Sequence, residues 1–395
     1  MNQPASESSP PVSTGGAVTA LVIEELSIGG AEQMVVAMAN QLVQLGWQVH
    51  VVCLRDAGAL AAELDDSIVV HVLHKKPGLD LFLPWRLNRC LHRINPLVVN
   101  SHLWVGNTWT RLALLLDRLP VVVTEHSRDV WKPRYYRWID RILAYRTAAM
   151  IAVSGDTAAF YREEVGVDPA LVTVVNNGVN TRKYAAGDGR SLREEWLGNE
   201  PRFLDMPEDR RVLIGTVGRL VLAKNHRRLI DALGLLRHDP ALQDHDIRLI
   251  VVGDGEDRDE IEAYVQKTGL LDAVTFTGAR RDIPDVLAAF DLFVLSSDRE
   301  GHPLTALEAQ AAGTPVVLTD AGGSSEAIAR EGASCGGVLV ERSTEALAAA
   351  LREMILFPRL RAERGAFARH HALLHFDQKR MIERYIEIFR AVSRN

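Results

Sequence analysis

The chain has 395 residues, too many for one ordinary core, and its 47% hydrophobic and 24% charged residues are typical of a soluble globular protein. The three scattered cysteines match neither a metal-binding spacing nor a disulfide framework, which favours a reducing compartment. The net charge of −6 and the lack of a recognisable nucleic-acid module argue against nucleic-acid binding.

The first fifteen residues are rich in Ser, Pro and Gly, which predicts a disordered tail at 1–15. This segment has no basic n-region followed by an apolar h-region, so we do not expect a signal peptide. No apolar run reaches about 18 residues, the length that a membrane-spanning helix needs. We therefore expect a cytoplasmic protein.

Strands and helices alternate from the end of this tail to about residue 185. The strands are continuous apolar runs, as buried parallel strands require. We predict them at about 18–24, 48–54, 67–73, 97–101, 121–125, 150–153 and 171–176. Helices are predicted between them, for example at 31–45, 108–116, 135–145 and 156–164.

A polar stretch with several Gly and Pro residues at 186–210 predicts a linker, after which the alternation resumes. Strands are predicted near 212–217, 247–252, 273–277, 291–295, 315–319 and 337–340, with helices such as 227–236, 256–267, 326–330 and 344–354. The pattern predicts two doubly wound α/β domains, at 16–185 and 211–375. An amphipathic helix at about 378–392, in the segment 376–395, is expected to pack back on the first domain.

Two glutamates, Glu300 and Glu308, follow the predicted strand at 291–295. Thr305–Ala312 reads as a helix that Gly313 ends, so Glu300 lies on the preceding loop and Glu308 about one turn into the helix. Backbone N–H groups at a helix start bind anions, and carboxylates bind hydroxyls. This combination suits a phosphate flanked by sugars, held where the strands end, in the cleft between the domains.

Two further motifs stand at strand ends. Gly29-Gly30-Ala31-Glu32 opens the first predicted helix, where it forms either a phosphate-binding turn or an ordinary tight turn. Arg219 and Lys224 follow the first strand of the second domain. They form either a cationic clamp for a diphosphate or ordinary surface charge, and the position at a strand end favours the clamp.

Two further patterns are explained better by local structure than by a ligand or metal site. Gly253-Asp254-Gly255 lacks the third glycine of a dinucleotide motif, because Arg258 occupies that position, and it predicts a strand-to-helix turn. Asp257-Arg258-Asp259 resembles a metal-binding pair of acids. Acidic residues are also favourable in the first turn of a helix, which is the better explanation and predicts no metal site.

His102 and His126 each follow an apolar run, at the ends of neighbouring strands. A lone histidine is more often structural than catalytic. Two at adjacent strand ends support the hypothesis that His102 lies near a reacting centre, with His126 and Gly29 in the cleft or near an acceptor.

Basic and aromatic residues interleave in the segments Trp131–Arg146 and Lys75–Arg93. Residues 75–146 contain 13 Lys/Arg and 5 Asp/Glu. Such helices bind a membrane surface or an anionic acceptor, or they are half-buried helices whose arginine stems cover apolar surface. Nucleic acid is the least favoured partner.

In its motifs, the chain resembles glycosyltransferase family 4, the retaining, metal-independent enzymes with the GT-B fold of two Rossmann-like domains. The order and spacing hold from about residue 18 to residue 390. The resemblance rests on Gly29-Gly30-Ala31-Glu32, Thr124-Glu125-His126-Ser127, Ile151-Ala152-Val153-Ser154, Asn177-Gly178-Val179, Val217-Gly218-Arg219-Leu220 with Lys224-Asn225, Gly253-Asp254-Gly255, and the run from Glu300 to Val317.

The resemblance implies a role for each matching residue. Arg219, Lys224 and Gly30 would bind the donor diphosphate. Glu300 would hold the donor sugar as a catalytic residue together with His102, and Glu308 would take the ribose hydroxyls. Backbone groups at Pro303, Leu304 and Thr305 would touch sugar and phosphate. His302 and Asn180 depart from common family residues.

We therefore expect a retaining transferase that moves a sugar from a nucleotide-diphosphate sugar to a saccharide or lipid-linked acceptor. It would need no cofactor or metal, would serve envelope polysaccharide, lipopolysaccharide or glycolipid synthesis, and would associate peripherally with the inner membrane face. A nucleotide-sugar epimerase with the same fold and a non-catalytic sugar-binding protein are the alternatives. The sequence does not identify the nucleotide, sugar or acceptor.

Overall fold

The computed structural model describes residues 16–128, 130, 133–198 and 206–394, so the predicted tail lies outside the described residues. The first half of the chain contains the strands β1 (Val18–Ile23), β2 (Gln48–Cys53), β3 (Val69–Val72), β4 (Val98–His102), β5 (Val121–Glu125), β6 (Ala149–Ala152) and β7 (Val172–Val174). Its helices are α1 (Gly30–Gln44), α2 (Leu83–Ile94), α3 (Leu103–Ala113), α4 (Arg134–Leu143), α5 (Gly155–Ala159), α6 (Thr181–Ala185) and α7 (Arg190–Leu197).

The second half repeats the alternation. Its strands are β8 (Arg211–Val217), β9 (Asp246–Val252), β10 (Val274–Gly278), β11 (Leu292–Leu295), β12 (Val316–Thr319), β13 (Arg330–Glu331), β14 (Ser334–Cys335) and β15 (Gly337–Val340). Its helices are α8 (His226–Arg237), α9 (Arg258–Lys267), α10 (Ile283–Ala289), α11 (Leu304–Ala312), α12 (Thr344–Leu356), α13 (Pro358–His375) and α14 (Gln378–Ser393).

Two large sheets organise these elements. The first has seven strands in the order β3-β2-β1-β4-β5-β6-β7, and the second has six in the order β10-β9-β8-β11-β12-β15. The pairs from β3 to β5 are parallel, as are all pairs of the second sheet. Apolar runs such as β11 are buried along their whole length, as strands covered on both faces require. The predicted α/β fold class with two parallel sheets is confirmed.

The chain divides into two compact units. The first consists of Met1–Thr124, Ile142–Met150 and Ile386–Asn395, and the second of Glu125–Arg141 and Ile151–Tyr385. The end of α14 belongs to the first unit, where the ring of Phe389 packs edge-on against Trp47 with centroids 6.2 Å apart. The predicted domain boundaries stay a prediction.

The predicted linker contains helix α7, which packs within the second unit. Trp196 of α7 stacks on Phe290, with ring centroids 5.8 Å apart. Arg193 of the same helix forms an ion pair with Asp291 over 2.6 Å. Residues 199–205 of the predicted linker lie outside the described residues.

The helix predicted at 326–330 is wrong. The chain forms a single 3-10 turn at Ser325–Ala327 and then enters β13. The buried Gln310 side chain donates to the Ala327 carbonyl over 2.6 Å and accepts from the Ala329 backbone N–H over 2.7 Å. These bonds use backbone groups that a continuing helix would need, so the helix stops.

The described helices include none that is both long enough and apolar enough to cross a membrane.

Candidate active site

The loops after β8 and β11 form the candidate active site. These strands are parallel neighbours in the second sheet, so their carboxyl ends lie side by side at one edge. The loop after β8 carries Arg219 and Lys224, and the loop after β11 carries Glu300. Arg219, Lys224 and Glu300, which the sequence predicted from separate motifs, therefore lie at one edge of the sheet.

Lys224 and Glu300 are in direct contact. The Lys224 Nζ lies 2.6 Å from Glu300 Oε1, and the Ser297 hydroxyl donates to the same oxygen over 2.6 Å. The Glu300 side chain is 8% exposed and that of Lys224 is 23% exposed. Charge-assisted hydrogen bonds of this length are stronger than neutral ones. The predicted catalytic glutamate and the predicted phosphate-binding lysine therefore form one hydrogen-bonded unit with Ser297.

Arg219 is the contrasting cation at this edge. Its side chain is exposed, and within the described ranges no hydrogen bond or ion pair engages its guanidinium. A guanidinium in this position presents several N–H donors that suit phosphate oxygens. The edge of the sheet therefore offers an anion one unengaged cation and one that is shared with a carboxylate.

A second layer of hydrogen bonds fixes the Lys224 backbone. The Ser296 hydroxyl donates to the carbonyls of Lys224 and Asn225 over 3.0 and 2.9 Å. Asn225 has a left-handed φ of 45° and caps α8 by accepting from the Arg228 backbone N–H. Asp298 accepts from the Asn225 amide over 3.0 Å and from the Arg228 guanidinium over 2.7 Å. The two loops are thus tied together by their own side chains.

Close backbone contacts hold the loop around Glu300. The Glu300 N–H donates to the Ala321 carbonyl over 2.6 Å. A Cβ on Gly323 would meet the Gly301 carbonyl oxygen at 1.6 Å, and a Cβ on Gly301 would meet the His126 carbonyl oxygen at 1.8 Å. Only glycine permits such approaches. The loop is therefore packed into one conformation before any ligand binds, and His126 contributes to the packing through its backbone.

Helix α11 begins immediately after this loop. Pro303 is the N-cap and Leu304 the first helical residue; both are buried, whereas Thr305 is half-buried. The first-turn N–H groups of a helix lack intrahelical partners, and the helix dipole makes them attractive to anions. The structure thus provides at Pro303, Leu304 and Thr305 the helix start that the sequence predicted. Gly313 ends the helix with a left-handed φ of 92°.

Glu308 lies in the second turn of α11 and is buried. The Tyr184 hydroxyl donates to Glu308 Oε1 over 2.6 Å. Burial raises the pKa of Glu308, and the Tyr184 hydrogen bond and the nearby charge of Lys183 oppose that shift. A hydroxyl group thus holds Glu308, whereas an ammonium and a hydroxyl hold Glu300.

His302 lies in the loop but its side chain is buried beside a cavity of about 260 Å³. Asn177, Glu326 and His371 also line this cavity. Burial lowers the pKa of His302 to about 4, which the nearby Glu326 opposes. The imidazole is therefore neutral near pH 7.

The Gly253-Asp254-Gly255 turn supports the loop after β8. A Cβ on Gly253 would meet the Gly218 carbonyl oxygen at 1.9 Å, and a Cβ on Gly255 would meet the Leu220 carbonyl oxygen at 2.3 Å. Gly253 also has a left-handed φ of 135°. The turn joins β9 to α9, as predicted, and its glycines are explained by contact with the loop that carries Arg219.

Two family models match this chain. The model described as Glycosyltransferase Family 4 matches residues 28–183, and the model described as Glycosyl transferases group 1 matches residues 200–371. Between them they cover every strand of the two large sheets except β1. The chain belongs to glycosyltransferase family 4.

Curated relatives agree with this family 4 assignment, and solved structures share the fold. An Escherichia coli enzyme named UDP-Gal:alpha-D-GlcNAc-diphosphoundecaprenol alpha-1,3-galactosyltransferase is 27% identical over 292 residues, which are 70% of this chain and 73% of that protein. Alpha-maltose-1-phosphate synthase of Mycolicibacterium smegmatis is 29% identical, over 92% of this chain and 96% of that enzyme. The crystal structure of Anabaena Alr3699/HepE in complex with UDP has a TM-score of 0.78 at 23% identity, covering 95% and 100% of the two chains. The GT-B fold is confirmed.

Three predicted site residues of this glycosyltransferase lie in the first unit. Gly29 is the N-cap of α1 and Gly30 is its first residue. His102 ends β4, is fully buried and precedes Leu103, whose left-handed φ of 61° is unusual for a leucine. The predicted roles of Gly30 and His102 toward the donor, and of Gly29 in the cleft or near an acceptor, stay predictions.

Sequence reasoning missed three side chains of this family 4 site: Ser297, Tyr184 and Glu326. The Glu326 carboxylate accepts from the backbone N–H groups of Gly155 and Asp156, over 2.9 and 3.2 Å. The sequence carries a weak signal for Ser297, which stands three residues before Glu300. Nothing in the sequence around Tyr184 or Glu326 indicates their distant partners.

Proposed function

We propose that this glycosyltransferase moves a sugar from a nucleotide-diphosphate sugar to a hydroxyl of a saccharide or lipid-linked acceptor, with retention of the anomeric configuration. The contact between Lys224 and Glu300 carries the proposal. Lys224 is a cation suited to a phosphate, and Glu300 is a carboxylate suited to sugar hydroxyls. The two side chains are in direct contact, so they would face adjoining parts of a ligand in which a sugar is bonded directly to a phosphate. The unengaged Arg219 adds a second cation at the same sheet edge.

In this mechanism the protein acts by electrostatics. As the bond from sugar to phosphate breaks, negative charge grows on the diphosphate and positive charge on the sugar ring. Arg219, Lys224 and the N–H groups at the start of α11 would stabilise the phosphate charge, since preorganised donors and cations are a large source of rate enhancement. These groups supply the charge stabilisation that a metal ion gives in other enzymes, so we propose a metal-independent reaction with no cofactor.

Glu300 would orient the donor sugar without attacking it. Its Oε1 already accepts from Lys224 and Ser297, which stabilises the carboxylate and weakens it as a nucleophile. A double displacement would need two carboxyl groups about 5 Å apart around the reacting bond. In the proposed reaction the departing phosphate oxygen takes the proton of the acceptor hydroxyl, and the acceptor bonds to the same face of the sugar.

The names of relatives suggest which substrates to test. The E. coli relative is named for UDP-galactose and a diphosphoundecaprenol-linked sugar, and the Anabaena structure is a complex with UDP. We propose a nucleotide-diphosphate sugar as donor, with uridine nucleotides as the first to test, and an envelope saccharide or glycolipid as acceptor.

The test is a panel of nucleotide sugars incubated with the enzyme, with and without a lipid-linked saccharide and with and without EDTA. We expect transfer only when acceptor is present, unchanged rates in EDTA, and an anomeric configuration by NMR that matches the donor. Conversion of donor alone into an epimer would favour an epimerase instead. An inverted product or a reaction abolished by EDTA would contradict the proposed mechanism.

We also propose that the first unit touches an anionic membrane surface. Leu79, Leu81, Phe82 and Trp85 are 61–76% exposed, at and before the start of α2. Beside them, the Arg89 guanidinium lies 5.6 Å from the Trp85 ring centroid. Exposed aromatic and aliphatic residues next to basic ones bind the interface of anionic bilayers. This surface would hold the enzyme peripherally at the inner membrane face, near a lipid-linked acceptor.

A second basic, aromatic helix is α4, most of which belongs to the second unit. Tyr135 and Trp138 on it are exposed, as is Tyr145 just beyond it. Trp131, which begins the predicted segment, lies outside the described residues. Sedimentation with vesicles tests the proposal: we expect binding to vesicles containing phosphatidylglycerol and little binding to pure phosphatidylcholine. Equal absence from both pellets would contradict it, and so would a lack of salt dependence.

A further inference from the structure

The segment between the first and second sheets contributes a side chain to the candidate site. Tyr184 on α6 donates its hydroxyl to Glu308 over 2.6 Å. Both residues lie in the second unit, so the contact is internal to it. The sequence assigns Tyr184 to the end of the first predicted domain, yet its hydroxyl contacts the carboxylate proposed to bind the ribose.

Tight backbone contacts fix the segment that carries Tyr184. A Cβ on Gly187 would meet the Pro284 carbonyl oxygen at 2.2 Å, and a Cβ on Gly189 would meet the Ala289 nitrogen at 2.1 Å. Both contacts are to α10. Between Tyr184 and Gly187, the Ala185 carbonyl accepts from the Arg369 guanidinium over 2.8 Å. The position of the Tyr184 hydroxyl is therefore set by packing.

The environment of Glu308 makes this hydroxyl important. A buried carboxyl group tends to take up a proton, since burial disfavours the charged form. Burial accordingly raises the pKa of Glu308, and the two groups that oppose the shift are adjacent on α6: the Tyr184 hydroxyl and the Lys183 ammonium. A protonated carboxyl group accepts fewer hydrogen bonds from ribose hydroxyls than an ionised one.

We propose that Tyr184 is a positioning residue for the nucleotide: its hydroxyl holds Glu308 ionised through Oε1 and leaves Oε2 to accept from the ribose hydroxyls. The proposal rests on the proposed function, because it takes Glu308 as the ribose-binding residue. Tyr184 itself need not touch the nucleotide. Its removal should weaken ribose recognition more as the solution becomes more acidic.

The experiment measures binding by isothermal titration for wild type and Tyr184→Phe, from pH 6 to pH 8. The probes are inorganic pyrophosphate and whichever of UDP, GDP, ADP and CDP wild type binds best. For Tyr184→Phe we expect the nucleotide to bind about tenfold more weakly at pH 6, with a smaller loss at pH 8, because one hydrogen bond to a charged group is lost. Pyrophosphate has no ribose, so its affinity should not change.

Tyr264→Phe is the matched control. The Tyr264 hydroxyl also donates to a carboxylate over 2.6 Å, that of Asp231, in the same unit but on α8 and α9. It should change neither nucleotide nor pyrophosphate affinity.

Lys183→Met is a second test variant. We expect it to weaken nucleotide binding more at pH 6 than at pH 8, as Tyr184→Phe does, but by a smaller factor. It keeps the test informative if Tyr184→Phe proves too unstable to titrate.

The outcomes separate the two proposals. Unchanged or tighter nucleotide binding by Tyr184→Phe would overturn the role of Tyr184 alone, and so would an equal loss for nucleotide and pyrophosphate or a loss independent of pH. Failure of wild type to bind any of the four nucleotides would overturn the proposed function and this inference with it.

Discussion

Two loops of this enzyme hold their side chains in opposite ways. In residues 296–304 the side chains of Ser296, Ser297 and Glu300 all make hydrogen bonds within the second unit, and the Glu300 side chain is almost fully buried. In residues 79–85 of the first unit, Phe82 and Trp85 are more than half exposed. The difference matches the two tasks that we propose for these loops. A loop that stabilises charge must be fixed beforehand, whereas a loop that meets a soft lipid surface needs accessible apolar area.

The sharpest test of the fixed loop is Gly323→Ala. The new methyl group would overlap the Gly301 carbonyl, so the loop would have to move by more than 1 Å. Displacements of this size at a catalytic centre cost about 100-fold in rate, so we expect a loss of at least that order in turnover. Radiometric transfer assays would measure it, alongside thermal unfolding.

The control for this change is Gly234→Ala. Gly234 lies inside α8, and a Cβ there would meet only Leu270 at 3.9 Å, an ordinary contact. Alanine is favoured over glycine in a helix by about 1 kcal/mol, so this variant should be as active as wild type and slightly more stable. Full activity of Gly323→Ala would show that the loop is not preorganised.

Lys224→Ala should have the next largest effect. The change removes a cation proposed to stabilise the leaving diphosphate, and among the described residues it leaves Ser297 as the side-chain donor to Glu300. Loss of one such group costs about 100- to 1,000-fold in kcat. Lys267→Ala, at an exposed helix end, is the control. A fall in kcat/KM of less than about threefold would contradict the proposed clamp.

His302→Phe tests the buried part of the same loop through pH. The pKa of His302 is about 4 in the folded protein and about 6.5 when unfolded, so between these values the unfolded state binds more protons. Stability therefore falls as the pH drops from about 6.5 towards 4. His302→Phe should remove the part of this loss that His302 causes. Between pH 8 and pH 5, the free energy of unfolding of wild type should therefore fall by about 2 kcal/mol more than that of the variant.

Urea unfolding of wild type and His302→Phe at pH 5 and pH 8 would measure this difference. His226 provides a comparison inside the same unit, since burial lowers its pKa to about 4 as well. The remaining acid sensitivity of the variant should come partly from His226. Identical pH dependence of wild type and His302→Phe would contradict the prediction.

The smallest effect on stability is expected in the exposed loop. Leu81→Ser with Phe82→Ser removes two side chains that are more than 70% exposed. Exposed substitutions usually change stability by less than about 0.5 kcal/mol each, so folding should be preserved. Binding to phosphatidylglycerol vesicles should fall several-fold. A large loss of stability would show that these side chains pack against the protein instead.

Much of the fold could be predicted from the sequence, because buried parallel strands and helix ends can be recognised from short local patterns. Runs such as Val121-Val122-Val123 are apolar along their length and mark buried strands, and Gly313 marks the end of α11. Because Arg219, Lys224 and Glu300 follow predicted parallel strands, they could also be predicted to lie at one edge of the second sheet. Local chemistry sufficed because the topology is regular.

What the sequence did not reveal depends on distant partners. The ion pair between Lys224 and Glu300 joins two loops, and the hydrogen bond from Tyr184 to Glu308 joins two helices far apart in the chain. The helix wrongly predicted at 326–330 has the same cause, because the distant Gln310 side chain donates to the Ala327 carbonyl. No local pattern encodes such contacts. Leu103 is a further case, because a left-handed φ of 61° is unusual for a leucine and no local pattern predicts it.

The contact between Trp47 and Phe389 has a consequence for how the protein is made. Trp47 emerges from the ribosome early, whereas the aromatic ring that covers it is synthesised hundreds of residues later. Closing so long a loop carries an entropic cost, and domains fold during synthesis from the amino terminus onwards. Before Phe389 is synthesised this contact cannot form, so we expect nascent chains to expose the face of Trp47 that Phe389 covers.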